Sequence, residues 1–208
     1  MTHEESTLQT KKALAVSLKK HMEKKPLKKI TVNDIITDCN VNRKTFYYHF
    51  CDIYDLLKWI LEQEAVEVVK QFDLLTDCRE VLVFVVDYVE ANAHILNCAY
   101  DSIGRDEMKR FLCSDFYEVI HNYIDDVEKE KHLNSPEEYK SFLCELTTEA
   151  LAGMLINLFK NKQGYDKERM IHYLSLTLQS SLPIILANAS QNGVGDRQLA
   201  RLVDADER

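Results

Sequence analysis

Apolar residues recur at helical spacing along nearly the whole chain. Leu14, Leu18 and Met22 fall at i, i+4 and i+8 with Ala15 beside them, which predicts a first helix from Ser6 or Thr7 to about Lys25. Lys11, Lys12, Lys19 and Lys20 sit on or around its other face. Pro26 stops it, because proline pushes the residue before it out of the helical region. A second helix is predicted from Thr31, where Thr31-x-x-Asp34 has the form of a capping box and Val32, Ile35 and Ile36 face inward. Asn40 takes the following turn, since asparagine is next to glycine in tolerating a left-handed backbone. Asn42 caps a third short helix, Arg43 to about Phe50. Asp52 caps a fourth reaching about Phe72, with Ile53, Leu56, Leu57, Ile60 and Leu61 inward.

The pattern beyond is a helical body. Arg79 to Ala91 contains the run Val81–Val86, strand-like by composition. No second such run exists to pair with it and acidic residues flank it, so a helix is predicted. Further helices are predicted from Asn92 to about Ser102, from Asp106 to about Lys131 after Gly104, and from Ser135-Pro136-Glu137-Glu138 to about Asn161. The last start has a serine cap, proline at the first helical position and glutamate three after the cap. Its expected inward face is Tyr139, Phe142, Leu143, Leu146, Ala150, Gly153, Met154 and Leu158. Gly164 ends that segment. Asp166 caps a final helix to about Ala189, lined by Leu174, Leu178, Leu182 and Ile185, with a kink at Pro183. The fold class is therefore all-α. The expected domains are 1–52, a three-helix unit with its motif at about 31–50, and 53–189, a larger helical unit. Residues 190–208, polar with two glycines, are expected to form a flexible tail.

Composition adds little to the fold but much to the partner. The 208 residues are 46% hydrophobic and 29% charged, the mix of a globular chain, and only 5 Gly and 3 Pro interrupt them. No uninterrupted run of about 18 apolar residues is present, so no membrane span is expected. The N-terminus lacks the apolar core of a signal peptide. Six scattered cysteines, none in a C-x-x-C pair, suggest reduced thiols and a cytoplasmic location. The net charge of −8 is unevenly spread: residues 1–60 carry 11 Lys and Arg against 7 Asp and Glu, and residues 61–208 carry 15 against 27. A basic end on an acidic body is the distribution of a nucleic-acid module joined to something that repels DNA.

The stretch TVNDIITDCNVNRKTFYYHF, Thr31 to Phe50, has the layout of a helix-turn-helix, whose second helix enters the major groove. Its wording resembles the DNA-binding domain of the TetR/AcrR family. Ile30 to Ile35 is similar to that family's second-helix opening, Val41 to Phe50 to its recognition helix, and Asp52 to Leu57 to the start of its fourth helix. The resemblance covers the first 60 or so residues and implies that 1–52 is the DNA-binding domain; the remainder, 53–189, fits the family's regulatory and dimerisation domain in architecture only. It implies a recognition helix presenting Asn42, Arg43, Lys44 and Thr45 to the major groove. Arg43 is placed to bond guanine O6 and N7, worth about 1–3 kcal/mol of discrimination. Lys44 reaches a base edge or a phosphate, and Thr45 meets a phosphate or a thymine methyl. Tyr47, Tyr48 and His49 clamp the backbone, and Thr31 offers its hydroxyl at a helix N-terminus. Phe46 and Phe50 belong to the core. One departure is plain: the family commonly has a phosphate-binding lysine where this chain has Ile53. The backbone N–H groups there are expected to hold a phosphate without the added charge, giving a modest salt slope.

Within the family, KKPLKKITVNDI and NRKTFYYHF resemble the branch holding the activator of the dihydroxyacetone kinase operon. That resemblance implies a homodimer signalled by a dihydroxyacetone-binding, kinase-like coactivator protein. Dimerisation is expected through the last two long helices, whose apolar faces would form a four-helix bundle and let a two-fold pair read a palindromic operator in double-stranded DNA. No phosphate-binding, dinucleotide, nucleophile-elbow or zinc-protease motif occurs, so no enzyme, cofactor or metal is expected. Glu90, His94 and Cys98 share a helical face but read as structural, and Tyr100, Phe116, Tyr117 and Tyr123 as core before pocket. Two alternatives stand beside the activator: a one-component repressor released by a small molecule in its own body, and a helical adaptor with no DNA role.

Overall fold

A computed structural model describes residues 3–160 and 166–192. Among them every regular element is helical. The head comprises α1 (His3–Met22), α2 (Val32–Cys39) and α3 (Arg43–His49), with a 3-10 turn at Leu27–Lys29 between the first two. α4 runs over 53–69 and widens into a π turn at Glu62–Val66. The body continues with α5 (Leu74–Ala91), α6 (Ala93–Ile103), α7 (Arg105–Lys131), α8 (Glu137–Lys160) and α9, which runs over 167–192.

The head's core is the one its periodicity predicts. Leu14, Leu18 and Met22 are buried against Ile35, Phe46, Leu56 and Ile60. Ser17, wholly enclosed, donates its hydroxyl to the Ile35 carbonyl at 3.3 Å and so ties α1 to α2. α1 is already helical at His3, the first described residue and earlier than Ser6, and Glu4 and Glu5 in this turn suit the positive end of the helix dipole. It ends at Met22, where the N–H groups of Lys24 and Lys25 both turn back onto the His21 carbonyl.

The body departs from expectation at several boundaries. α5 starts at Leu74, five residues before Arg79, because the Asp73 carboxylate accepts the Leu75 N–H at 2.9 Å. The Val81–Val86 run is helical, as predicted, with Val81, Leu82 and Val86 buried. At the start of α8 the Ser135 hydroxyl donates to the Leu186 carbonyl on α9 at 3.1 Å, which ties the two helices. Pro136 does hold the first turn, its carbonyl accepting from Tyr139 and Lys140. Pro183 is met by a π turn at Thr177–Ser181, where the Leu182 N–H reaches back to Thr177. The wider turn accommodates a ring that lacks an N–H and would crowd the carbonyl four residues earlier. α9 continues to Asn192. Gly164 and the tail from 193 onward lie outside the described residues.

α7 packs along α8, and α9 crosses α5 and α7. One continuous apolar cluster runs from Leu14 in α1 to Leu186 in α9, so head and body share a core.

Candidate nucleic-acid interface

Local chemistry fixes the two helices of the motif. The Thr31 hydroxyl oxygen accepts the Asp34 N–H at 3.2 Å while Asp34 Oδ2 accepts the Thr31 N–H at 2.7 Å, completing the predicted box. Asn40 adopts φ 53° and ψ 41°, the left-handed turn expected of it. Asn42 Oδ1 then accepts both the Thr45 N–H at 2.8 Å and the Thr45 hydroxyl at 3.1 Å, which sets the start of α3.

α3 divides cleanly into an inner and an outer side. Phe46 and Phe50 are buried, with ring centroids 6.1 Å apart. Asn42, Arg43, Lys44, Tyr47 and Tyr48 are exposed, Tyr48 to 72% of its surface. An aromatic that open is unusual on a short helix and has no core role. Arg43 and Lys44 form no ion pair with any described residue, so two cations stand uncompensated at the outer end. Thr45 is half-buried, and its hydroxyl donates to Asn42 Oδ1. His49 is half-buried with its ring against Tyr48, centroids 4.9 Å apart. The structure thus brings seven of the eight predicted residues onto one helix and its cap.

Thr31, the eighth, is differently engaged. Its hydroxyl donates to Asp34 Oδ2 at 2.8 Å, and Lys25 Nζ reaches the same oxygen at 2.8 Å. The Lys25 ammonium, followed by the Thr31 N–H, holds the Asp34 carboxyl well below the ordinary carboxylate range. The proton expected to meet a phosphate is therefore spent on a neighbouring carboxylate. The start of α4 shows the same device. Asp52 Oδ1 accepts the Asp55 N–H at 2.8 Å, and Asp55 Oδ2 accepts the Cys51 N–H at 2.9 Å. Of the N–H groups expected to hold a phosphate, that of Asp55 is thus taken by a carboxylate, whose charge opposes an incoming anion. Sequence reasoning missed Asp55 and Lys25, although Asp52-x-x-Asp55 repeats the spacing of Thr31-x-x-Asp34.

The head is fastened to the body through α6. His94 Nε2 donates to the Met22 carbonyl at 2.9 Å, and Cys98 Sγ accepts the Leu27 N–H at 3.2 Å. Glu90 instead pairs with Lys167 at 3.1 Å. No three His, Cys, Asp or Glu side chains among the described residues converge as metal ligands. At a second joint, Lys19 Nζ meets Glu64 at 2.9 Å and the Tyr88 hydroxyl donates to the same carboxylate at 3.2 Å.

The outer side of the body is apolar. Phe142 and Leu146, expected to face inward, are 56% and 54% exposed; Leu143 and Leu158 are buried as expected, joined by Cys144, Ala152 and Ile156. Tyr173, Leu176, Ile184 and Ile185 are exposed on α9. Between the two helices lies an open groove of about 600 Å³. By length and apolar content alone, Glu137–Lys160 and Lys167–Ser190 would suffice to cross a membrane, which the absence of an uninterrupted apolar run did not reveal. Both helices are apolar on two sides, one facing the core and one facing outward. Deeper in the body, two cavities hold only about 60 and 40 Å³. Their walls are apolar, and the tyrosine hydroxyls on them are already bonded, Tyr123 to the Leu178 carbonyl and Tyr88 to Glu64.

With a reading helix held outward by its own caps, the chain falls in the class of helix-turn-helix transcriptional regulators. It belongs to the TetR-type family described as transcriptional regulator C-terminal region, which residues 76–180 match. It is similar to the HTH-type dhaKLM operon transcriptional activator DhaS of Lactococcus lactis subsp. lactis (strain IL1403). That relative is 23% identical over 145 residues, covering 70% of this chain and 76% of that protein. The solved structure of a dihydroxyacetone kinase operon activator DhaS matches with a TM-score of 0.66 at 22% identity, covering 84% of this chain and 97% of that one.

Proposed function

We propose that this regulator is a cytoplasmic homodimer that activates a dihydroxyacetone kinase operon, and that its signal arrives through a dihydroxyacetone-binding protein. Asn42, Arg43, Lys44 and Thr45 enter the major groove, with Arg43 on guanine and the Thr45 methyl against thymine. Tyr48, the Tyr47 hydroxyl and His49 hold the phosphate backbone. Thr31 contributes by capping α2. The apolar faces of α8 and α9 are covered by the second subunit, which also accounts for their composition without a membrane.

The observation favouring a protein signal is the filled body. Small-molecule sites usually span about 300–1,000 Å³ with a few convergent polar groups. The two internal cavities described above are several-fold smaller, and the tyrosine hydroxyls on their walls are already bonded. The groove between α8 and α9 is large enough but apolar and open, suited to another protein surface and not to a polyol. A one-component repressor would need a pocket of a different kind.

The test is a gel shift on duplex DNA from upstream of the protein's own operon. Dihydroxyacetone alone should leave the shift unchanged, and a kinase-like protein encoded nearby, loaded with dihydroxyacetone, should supershift the complex and raise transcription in vitro. Release of the DNA by a small molecule alone would replace this reading with the repressor. No shift on any duplex would leave the helical adaptor.

A further inference from the structure

The recognition helix carries an aromatic platform beneath its arginine. Arg43 and Tyr47 stand four apart on α3, on one face of the helix, and the Arg43 guanidinium lies over the Tyr47 ring at 5.8 Å. The Tyr47 ring is itself braced. Its neighbour Phe46, fully buried, meets it edge to face with centroids 5.4 Å apart. A chain of rings therefore runs from the core through Phe46 to Tyr47 and ends on the guanidinium. No carboxylate among the described residues pairs with Arg43 and draws it elsewhere.

Resting on the DNA-binding reading above, we propose that the Tyr47 ring is the positioning residue for specificity at the base under Arg43. A guanidinium held over a ring spends no N–H donor on a hydrogen-bond partner and keeps its planar fork, the shape that matches guanine O6 and N7. An unsupported arginine must be ordered on binding; one resting on a ring has already lost part of that freedom. The ring and the hydroxyl of Tyr47 thus do separate work. The ring sets which base is preferred, and the hydroxyl reaches the backbone and adds affinity regardless of sequence. Lys44, with Tyr48 four residues on, has no such contact and no planar fork.

The test selects bound sequences from a randomised duplex library with the full-length protein and compares Arg43→Ala, Tyr47→Phe and Tyr47→Leu. Circular dichroism and sedimentation confirm that each variant is folded and dimeric. The wild type should show a guanine preference in each half-site that Arg43→Ala abolishes. Tyr47→Leu should weaken that same preference about threefold to tenfold, leaving other positions and the salt slope on random duplex unchanged. Tyr47→Phe should keep the preference. Equal damage from Phe and Leu, spread over all positions, overturns the proposal and leaves Tyr47 a backbone clamp. An Arg43-dependent base other than guanine overturns it as well. Failure of the wild type to enrich any sequence would instead refute the DNA-binding reading beneath it.

Discussion

Replacing Asn42 with aspartate separates two things that this residue does. Its Oδ1 caps α3 by accepting the Thr45 N–H and hydroxyl, and in the proposed complex its amide N–H₂ group is left for the duplex. Aspartate is as good a cap, so folding stability should stay within about 0.5 kcal/mol of wild type. Asn42→Ala removes the acceptor for both groups and should cost about 1 kcal/mol. On DNA the order reverses. A carboxylate roughly 6 Å from a phosphate is repelled by about 0.7 kcal/mol in bulk water and about 3 kcal/mol at an effective dielectric of 20. The lost amide donors add to that. Asn42→Asp should therefore bind at least about 30-fold more weakly, from about 2 kcal/mol or more of lost binding energy, while melting like the wild type. Asn42→Ala should melt lower and bind better than Asn42→Asp. Fluorescence anisotropy on a duplex from upstream of the operon and thermal melts by circular dichroism give both numbers. Affinity of Asn42→Asp within twofold of wild type would falsify the placement of Asn42 against the duplex.

Leu146→Glu puts an unpaired charge in the face assigned to the second subunit, and burying such a charge costs about 3–5 kcal/mol. The dimer should dissociate at least about 100-fold more readily by sedimentation, with helicity retained; an unchanged dimer would move the interface elsewhere. Asp34 titrates lower in the folded protein than its ordinary value near ~4, so its contribution is full above that value and is withdrawn as pH falls below it. Asp34→Asn should flatten the melting temperature of the protein between about pH 4 and 2 relative to wild type, and an unaltered acid limb would remove Asp34 from the account. Leu18→Ala, at the centre of the head core, should cost about 2–5 kcal/mol in denaturant unfolding and abolish DNA binding.

The motif was legible because its determinants are local. Thr31, Asp34, Asn40 and Asn42 each fix a turn through atoms at most four residues away, so their spacing alone announces the helix, turn and helix. The start of α5 was missed because Thr76, Asp77 and Arg79 break the apolar pattern, although Asp73 was an available cap. The inward face of α8 was read correctly at Leu143 and Leu158 but not at Phe142 and Leu146, because that helix is apolar on two sides, and periodicity cannot say which side meets the core and which a second molecule. The joint to α6 was out of reach of any spacing argument: His94 and Cys98 meet Met22 and Leu27, some seventy positions away in sequence.

That joint has an evolutionary consequence. What His94 and Cys98 grip on the head is main chain, the Met22 carbonyl and the Leu27 N–H, and not the identity of either side chain. A socket that recognises backbone tolerates drift in whatever is plugged into it. Reading heads of different sequence preference can then be exchanged on one body, by natural recombination or by grafting, provided the bend around Pro26, the Lys19 partner of Glu64 and the buried side chains of the shared core are preserved.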